Sequence, residues 1–421
     1  MKITLKKNNI WKYLFVYLIF QPTFQYNISN ESIATFLNYT DEIIGVIMII
    51  IVLFRALKSQ ITLLKFERLM LIFMFIFEVF GIISGLLYKY QDVGYMFIDA
   101  YTCAKFFIYY LCARLLTQGK LTEKYFFSIN TLCKIIAVIL FVLALHDAFM
   151  SPWWPVGDYR VFTHSVALFF YIPDALARAS ITVIFVLAYN YRYYKRNIYY
   201  IMMLTVVMIL TFRTKAIVSV FVLYIFYLYF VKFKFKSLIP VGIATVAGAS
   251  YFGYDSLNFY YVEIEGSARN ILTRDSLWLA NQHFPLGTGF GSYGSRMASQ
   301  FYSRLYINLG YYRYTAQGMS EENGAFLSDT FWPIVIAQTG WIGTVSFVMA
   351  LLSMITYIIR SRKTDVYYFW VAISIIINDL IASFASSAFF SPSSMAPFLF
   401  LGLITSIHEF PKKAVNKGQM L

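Results

Sequence analysis

Apolar runs, many of them about 17 to 24 residues long, recur along the whole chain, broken by polar stretches. About 20 apolar residues wound as a helix cross a hydrocarbon layer of roughly 30 Å. In such a layer every backbone N–H and C=O must find a partner within the protein, so long runs predict helices rather than an open sheet. A β-barrel would show alternating segments of about ten residues instead, and that pattern is missing here. The runs predict spans near 10–23, 42–56, 67–88, 94–115, 125–147, 163–188, 198–212, 216–231, 238–252, 331–357, 366–388 and 396–408. The expected fold is therefore all-α, a polytopic transmembrane helix bundle of about 12 spans. It divides into an N-terminal membrane bundle of about nine spans (1–252), a long outer-face loop containing short helices (253–330), and a C-terminal bundle of about three spans with a cytoplasmic tail (331–421).

Composition agrees: 59% of the 421 residues are hydrophobic and only 13% are charged, and mean hydropathy is +0.63. A soluble domain carries about 25% charged residues. The net charge of +14 does not imply a nucleic-acid partner, because the basic residues sit at the ends of apolar runs and form no basic arm. One set of connections holds Arg55, Lys58 and Lys65, then Arg114, Lys120 and Lys124, then Arg192, Lys195 and Arg196, then Lys232, Lys234 and Lys236, then Arg360, Arg362 and Lys363. Under the positive-inside rule this face is cytoplasmic, and both termini belong to it through Lys2, Lys6, Lys7, Lys412, Lys413 and Lys417. The stretch after the first apolar run, Gln21-Pro22-Thr23-Phe24, is not a small-residue cleavage site, so that run is read as a span rather than a signal peptide. Cys103, Cys112 and Cys133 all lie in apolar runs and read as core residues. No His, Cys or acidic spacing resembles a metal site, and neither metal nor cofactor is expected.

Basic residues on the opposite, outer face go against this topology signal: Arg160, Arg213, Lys215, Arg269, Arg274, Arg296, Arg304 and Arg313. The sharpest case is Thr211-Phe212-Arg213-Thr214-Lys215, which interrupts about 35 otherwise apolar residues and predicts a tight outer hairpin. A charge dragged to the bilayer centre costs on the order of 2.5–3.5 kcal/mol, so an anionic ligand is the expected reason for keeping it. Arginine offers a planar fork to phosphate oxygens and lysine a point charge. The plainer account is snorkelling to lipid headgroups. Along 269–280 the spacing suits a helix, with Arg274 and Trp278 on one face. Pro285 and the alternating glycines Gly287, Gly289 and Gly291 then stop it, and this G-x-G-x-G lacks the strand and lysine of a phosphate loop. Asp174 and Arg178 form an i,i+4 pair, and Glu78, Asp99, Lys105, Lys134 and Asp379 are expected at membrane depth, facing one another or a cavity. His164 and His283 fall on the outer side as polar contacts or a base.

The order of these features resembles the bacterial O-antigen and capsular repeat-unit polymerases (Wzy-type) and the related O-antigen ligases. Three segments carry the resemblance: the 211–215 motif, the run from Arg274 and Trp278 into Pro285-Leu-Gly287-Thr-Gly289, and Ser328-Asp329-Thr-Phe-Trp332 followed by Gln338-Thr-Gly340-Trp-Ile-Gly343. Arg160-Val-Phe-Thr-His164 is similar to a further family segment. Many relatives carry His-Asn where this chain has Ser328-Asp329, which favours a polymerase over a ligase. The resemblance implies glycosyl transfer on the outer face of the inner membrane. A growing glycan leaves undecaprenyl diphosphate and joins a lipid-linked repeat unit, with a chain-length regulator as a further partner. On that basis Arg213, Arg274 and Asp329 are the expected catalytic residues, and Arg160, Lys215, Arg269, Trp278 and His283 the expected substrate-binding ones. A ligase and a lipid-linked oligosaccharide flippase are the competing readings.

Overall fold

The computed structural model describes residues 10–28, 30–121, 123–150, 152–155, 158–160, 163–235, 237, 239–258 and 267–410. The terminal lysines that bear on orientation lie outside these residues, as does the side chain of Arg160. The chain is a bundle of helices: α1 (Ile10–Phe20), α2 (Phe24–Asn27), α3 (Glu31–Asn38), α4 (Thr40–Leu57), α5 (Lys65–Tyr88), α6 (Val93–Thr117), α7 (Glu123–Phe149), α8 (Pro173–Tyr189), α9 (Asn197–Leu210), α10 (Thr214–Phe226), α11 (Ile239–Asn258), α12 (Ala268–Gln282), α13 (Arg296–Gln300), α14 (Arg304–Asn308), α15 (Trp332–Ser361), α16 (Val366–Ala382) and α17 (Met395–Glu409). Among the described residues the one β-ladder is two residues long, Tyr159–Arg160 against Thr163–His164.

Every predicted apolar run is helical over most of its length. Among the described residues, four helical stretches, Lys65–Tyr88, Tyr125–Phe149, Thr214–Lys232 and Trp332–Ser361, are long and apolar enough to cross a membrane. Their outward faces stay apolar: Phe75 on α5 is 69% exposed and Val142 on α7 is 57% exposed. Large exposed apolar surface of this extent suits apolar surroundings.

Two predicted spans are shorter than expected. Residues 163–172 are not the start of a helix, because Pro173 fixes the first turn of α8 and pushes Ile172 into extended backbone. The apolar stretch before it packs instead as strand and short turns, with Val166 N–H donating to Leu210 O at 3.0 Å. The span expected to reach 388 ends at Ala382. There Ser383 Oγ donates to Leu380 O at 2.6 Å and Ser386 Oγ to Ala382 O at 3.1 Å, offering the last carbonyls an alternative to the next helical turn.

The bundle has two distinct ends. At one, Arg55 Nη1 donates to Leu116 O at 2.8 Å, Arg114 Nε to Glu67 Oε1 at 2.6 Å, and Arg192 Nη1 to Asp365 Oδ2 at 2.7 Å. This is the set of basic connections grouped by the charge pattern. Deeper inside, Lys105 pairs with both Asp41 and Glu42.

The 287–291 segment does not hang from the bundle as a loop but is inserted into it. At Gly340 (φ 65°, ψ −171°) α15 breaks, which frees two carbonyls for the inserted strand of chain. Thr288 N–H donates to Ala337 O at 2.8 Å and Gly289 N–H to Gln338 O at 2.9 Å. The other amides are taken as well, Gly287 by Ser84 Oγ at 3.1 Å and Gly291 by Asp99 Oδ2 at 2.7 Å. The glycines are therefore packing devices rather than a phosphate cradle.

Candidate functional site

At the other end of the bundle five helix starts come together: those of α8, α10, α12, α15 and α17. Each helix N-terminus carries roughly half a positive charge from its unpaired N–H groups. Two of these helices nevertheless place a basic residue in the first turn, Lys215 in α10 and Arg269 in α12. That arrangement repels itself unless anions face it.

The structure supplies three carboxylates. Lys215 Nζ lies 2.9 Å from Asp174 Oδ1, and Arg178 Nε lies 3.4 Å from Asp174 Oδ2. Arg178 reaches on to Asp379 Oδ1 at 3.6 Å. Arg269 donates through Nε and Nη2 to Asp329 Oδ2, at 3.1 and 2.5 Å. The serine-rich turn at 383–394 joins these pairs into one cluster. Ser386 Oγ accepts from Lys215 Nζ and from Arg178 Nη2, both at 3.3 Å, Ala385 O accepts from Arg269 Nη2 at 3.3 Å, and Ser394 Oγ accepts from Arg178 Nη1 at 3.2 Å. Trp332 Nε1 donates to Ser383 Oγ at 3.1 Å and closes the side nearest α15.

Four cations thus face three carboxylates. The fourth cation is Arg213, half-buried at the hairpin, close enough to act on Asp174 electrostatically. Among the described residues it makes no ion pair, and its Nε is buried without a hydrogen-bond partner. Asp329 sits just before α15, and burial raises its carboxyl above the usual carboxylate range; Arg269 and Lys215 oppose the shift without cancelling it. Chemically, the cluster is a preorganised patch of excess positive charge, with one carboxylate poised to hold a proton more readily than usual.

The structure therefore brings together Arg213, Lys215, Arg269 and Asp329 from the residues singled out in the sequence. It does not bring Arg274, Trp278 or His283 to them. Arg274 follows Arg269 by five positions, which rotates it about 140° round α12. Its side chain is 68% exposed and donates to the neighbouring Asp275 at 3.0 Å. Trp278 is 52% exposed. His283 lies 14 residues along from Arg269, about 21 Å by helical rise, and is held by Tyr90 OH at 3.3 Å and Leu279 O at 2.9 Å. His164, from the further segment, pairs with Asp147 at 3.1 Å. The sequence reading missed Arg178 as a member, having balanced it against Asp174 alone, and missed Asp379, Ser386 and Ser394. The signal that points to them is the density of serines between 383 and 394, in a stretch flanked by long apolar runs.

Compared with known proteins, the chain matches no family model and no curated protein.

Proposed function

We propose that the chain is a surface-polysaccharide polymerase, a multi-pass protein of the bacterial inner membrane with about 12 spans and both termini cytoplasmic. It transfers a growing glycan from undecaprenyl diphosphate to a lipid-linked repeat unit on the outer face. The observation that carries this reading is the meeting of Arg213, Lys215, Arg178 and Arg269 at one end of the bundle, with Arg213 making no ion pair among the described residues. A lipid diphosphate is the ligand such a patch suits. Its two phosphates spread negative charge over several oxygens, its polyprenyl tail shares the apolar surroundings of the helices, and the leaving group needs charge neutralised rather than a bond chemically activated.

In the reaction the acceptor hydroxyl oxygen forms a bond to the anomeric carbon of the donor glycan, and the bond from that carbon to the diphosphate breaks. The diphosphate leaves with the electron pair and is held by Arg213, Lys215 and Arg269. The hydroxyl proton passes to Asp329, whose raised affinity for a proton suits a base. Arg178 is a positioning residue: it holds Asp174 and Ser386, which orient Lys215.

Two assays test the reading together. Accessibility tags within 267–330 report an outer location, and a cytoplasmic signal contradicts the reading. In cells, Arg269→Ala abolishes the ladder of long glycans while single repeat units still reach the surface. Accumulation of repeat units on the inner face instead would identify a flippase, and loss of all surface glycan attached to lipid A core, single units included, would identify a ligase.

A further inference from the structure

Five acidic residues in the bundle carry a cation: Asp41 and Glu42 with Lys105, Glu67 with Arg114, and Asp174 and Asp379 with Arg178. Glu78 on α5 and Asp99 on α6 differ. They are close enough to act on each other electrostatically, yet neither makes an ion pair among the described residues. Asp99 is fully buried and accepts the Gly291 N–H at 2.7 Å, with Ser295 and the Gln338 carboxamide also against its carboxylate. Glu78 has no such help, and its Oε1 is buried without a hydrogen-bond partner.

The decisive neighbour is Gln338, fully buried next to the break in α15. Its Nε2 donates to Tyr293 O at 2.9 Å, while its Oε1, an acceptor, meets no donor among the described residues. The ionisable groups that face the pair are Cys103 on α6 and Tyr306 on α14. Neither is a cation, and α15 and the 287–291 segment present none. Two carboxylates therefore lie close together with the Gln338 carboxamide against one of them, and among the described residues no cation pairs with either. An uncompensated buried ion is penalised by several kcal/mol even after relaxation.

We propose that Glu78, Asp99 and Gln338 form a binding site for one exchangeable monovalent cation, a proton or a sodium ion, which neutralises the acid pair. Bound there, the cation ties α5 and α6 to the broken α15 through Gly291 and Gln338, and so holds the inserted 287–291 segment in place. Unwound helix beside buried acceptors is a recurring way of coordinating small cations in membrane proteins. The site is distinct from the cluster around Ser386 and does not depend on the glycan chemistry proposed for it.

Dicyclohexylcarbodiimide, which adds to a neutral carboxylic acid in apolar surroundings, reads the occupant directly in the full chain held in lipid nanodiscs. Labelling of Glu78 is followed by mass spectrometry between about pH 6 and pH 10, with and without sodium. If the occupant is a proton, Glu78 is labelled at neutral pH, labelling falls tenfold per pH unit above its midpoint, and sodium has no effect. If it is sodium, added sodium protects Glu78 in a concentration-dependent way and potassium does not. Labelling that ignores both pH and sodium, or is absent throughout, overturns the proposal. In Glu78→Gln, which imitates the neutral acid, the melting temperature loses its dependence on sodium, or the part of its pH dependence that falls at the Glu78 labelling midpoint. A variant that keeps the wild-type dependence also overturns it, and should the variant not fold, the wild-type labelling still decides.

Discussion

Replacing Gly340 by alanine attacks one of the contacts that hold the inserted 287–291 segment in the bundle. Gly340 lies at φ 65° and ψ −171°, a region occupied essentially by glycine, where another residue costs about 1–3 kcal/mol. A Cβ there would stand 2.2 Å from Leu286 O and 2.6 Å from its carbonyl carbon. Both are backbone atoms, so relief requires the inserted segment to move. Overpacking of this kind adds about 1–3 kcal/mol. The two amide bonds from Thr288 and Gly289 to the carbonyls of Ala337 and Gln338 are then stretched, each worth about 1 kcal/mol. A loss of about 4 kcal/mol is the expected sum of the first two terms, with the amide bonds deciding whether it is larger. The assay is denaturant unfolding of the full chain in detergent, followed by tryptophan fluorescence, with hydrogen exchange at Thr288 and Gly289. Gly94→Ala is the control, because a Cβ there meets nothing within 4 Å, and it should change stability by less than about 1 kcal/mol. Wild-type stability in Gly340→Ala, with the Thr288 and Gly289 amides still protected, would refute the interlock.

Other predictions follow from the same geometry. Arg178→Met leaves Asp379 without its cation, while Asp174 keeps Lys215, and should destabilise the chain by about 3–5 kcal/mol, measured by the same unfolding assay; Arg178→Met with Asp379→Asn should recover part of that loss. Burial holds the Asp329 proton in the folded protein at a pH where the unfolded chain releases it. The stability from neutral Asp329 is thus complete below the unfolded value of about 3.9 and is lost as pH rises through the higher folded value. Unfolding midpoints measured from about pH 4 upward should show that slope in the wild type and a flatter profile in Asp329→Asn. Lys105→Met strands Asp41 and Glu42 at the buried end of α4 and should lower the melting temperature more than Lys134→Met, since Lys134 rests only over the Tyr194 and Tyr200 rings.

What the sequence revealed follows from which forces are local. Helices were legible because each apolar run is long, and the 211–215 hairpin because charge interrupts one such run. Residues 163–172 misled for the same reason: Val166, Leu168, Phe169 and Phe170 read as helix, but Pro173 and the left-handed backbone at Leu168 and Tyr171 break them from α8. Partners far apart in the chain carry no local trace. Asp379 lies on a different helix from Arg178, and the Ala337 and Gln338 carbonyls become available only because Gly340 breaks α15. Which of Arg269 and Arg274 reaches the cluster depends on the side of α12 that faces the bundle. Trp278 and Arg274 looked like a functional face because they share one, yet the buried Ile271, Leu272, Leu279 and Ala280 show the inward side to be elsewhere.

The central claim is that the 211–215 hairpin, the start of α12 and the 383–394 turn build one anion site. Binding of undecaprenyl diphosphate to the purified full chain in nanodiscs tests it most directly, comparing wild type with Arg269→Ala, Lys215→Ala and Arg274→Ala. A lost charge-assisted contact is worth about 1.5–3 kcal/mol, so Arg269→Ala and Lys215→Ala should each weaken binding by roughly 10- to 150-fold while Arg274→Ala binds as wild type. Equal weakening by Arg274→Ala, or wild-type affinity in Arg269→Ala and Lys215→Ala, would contradict the account.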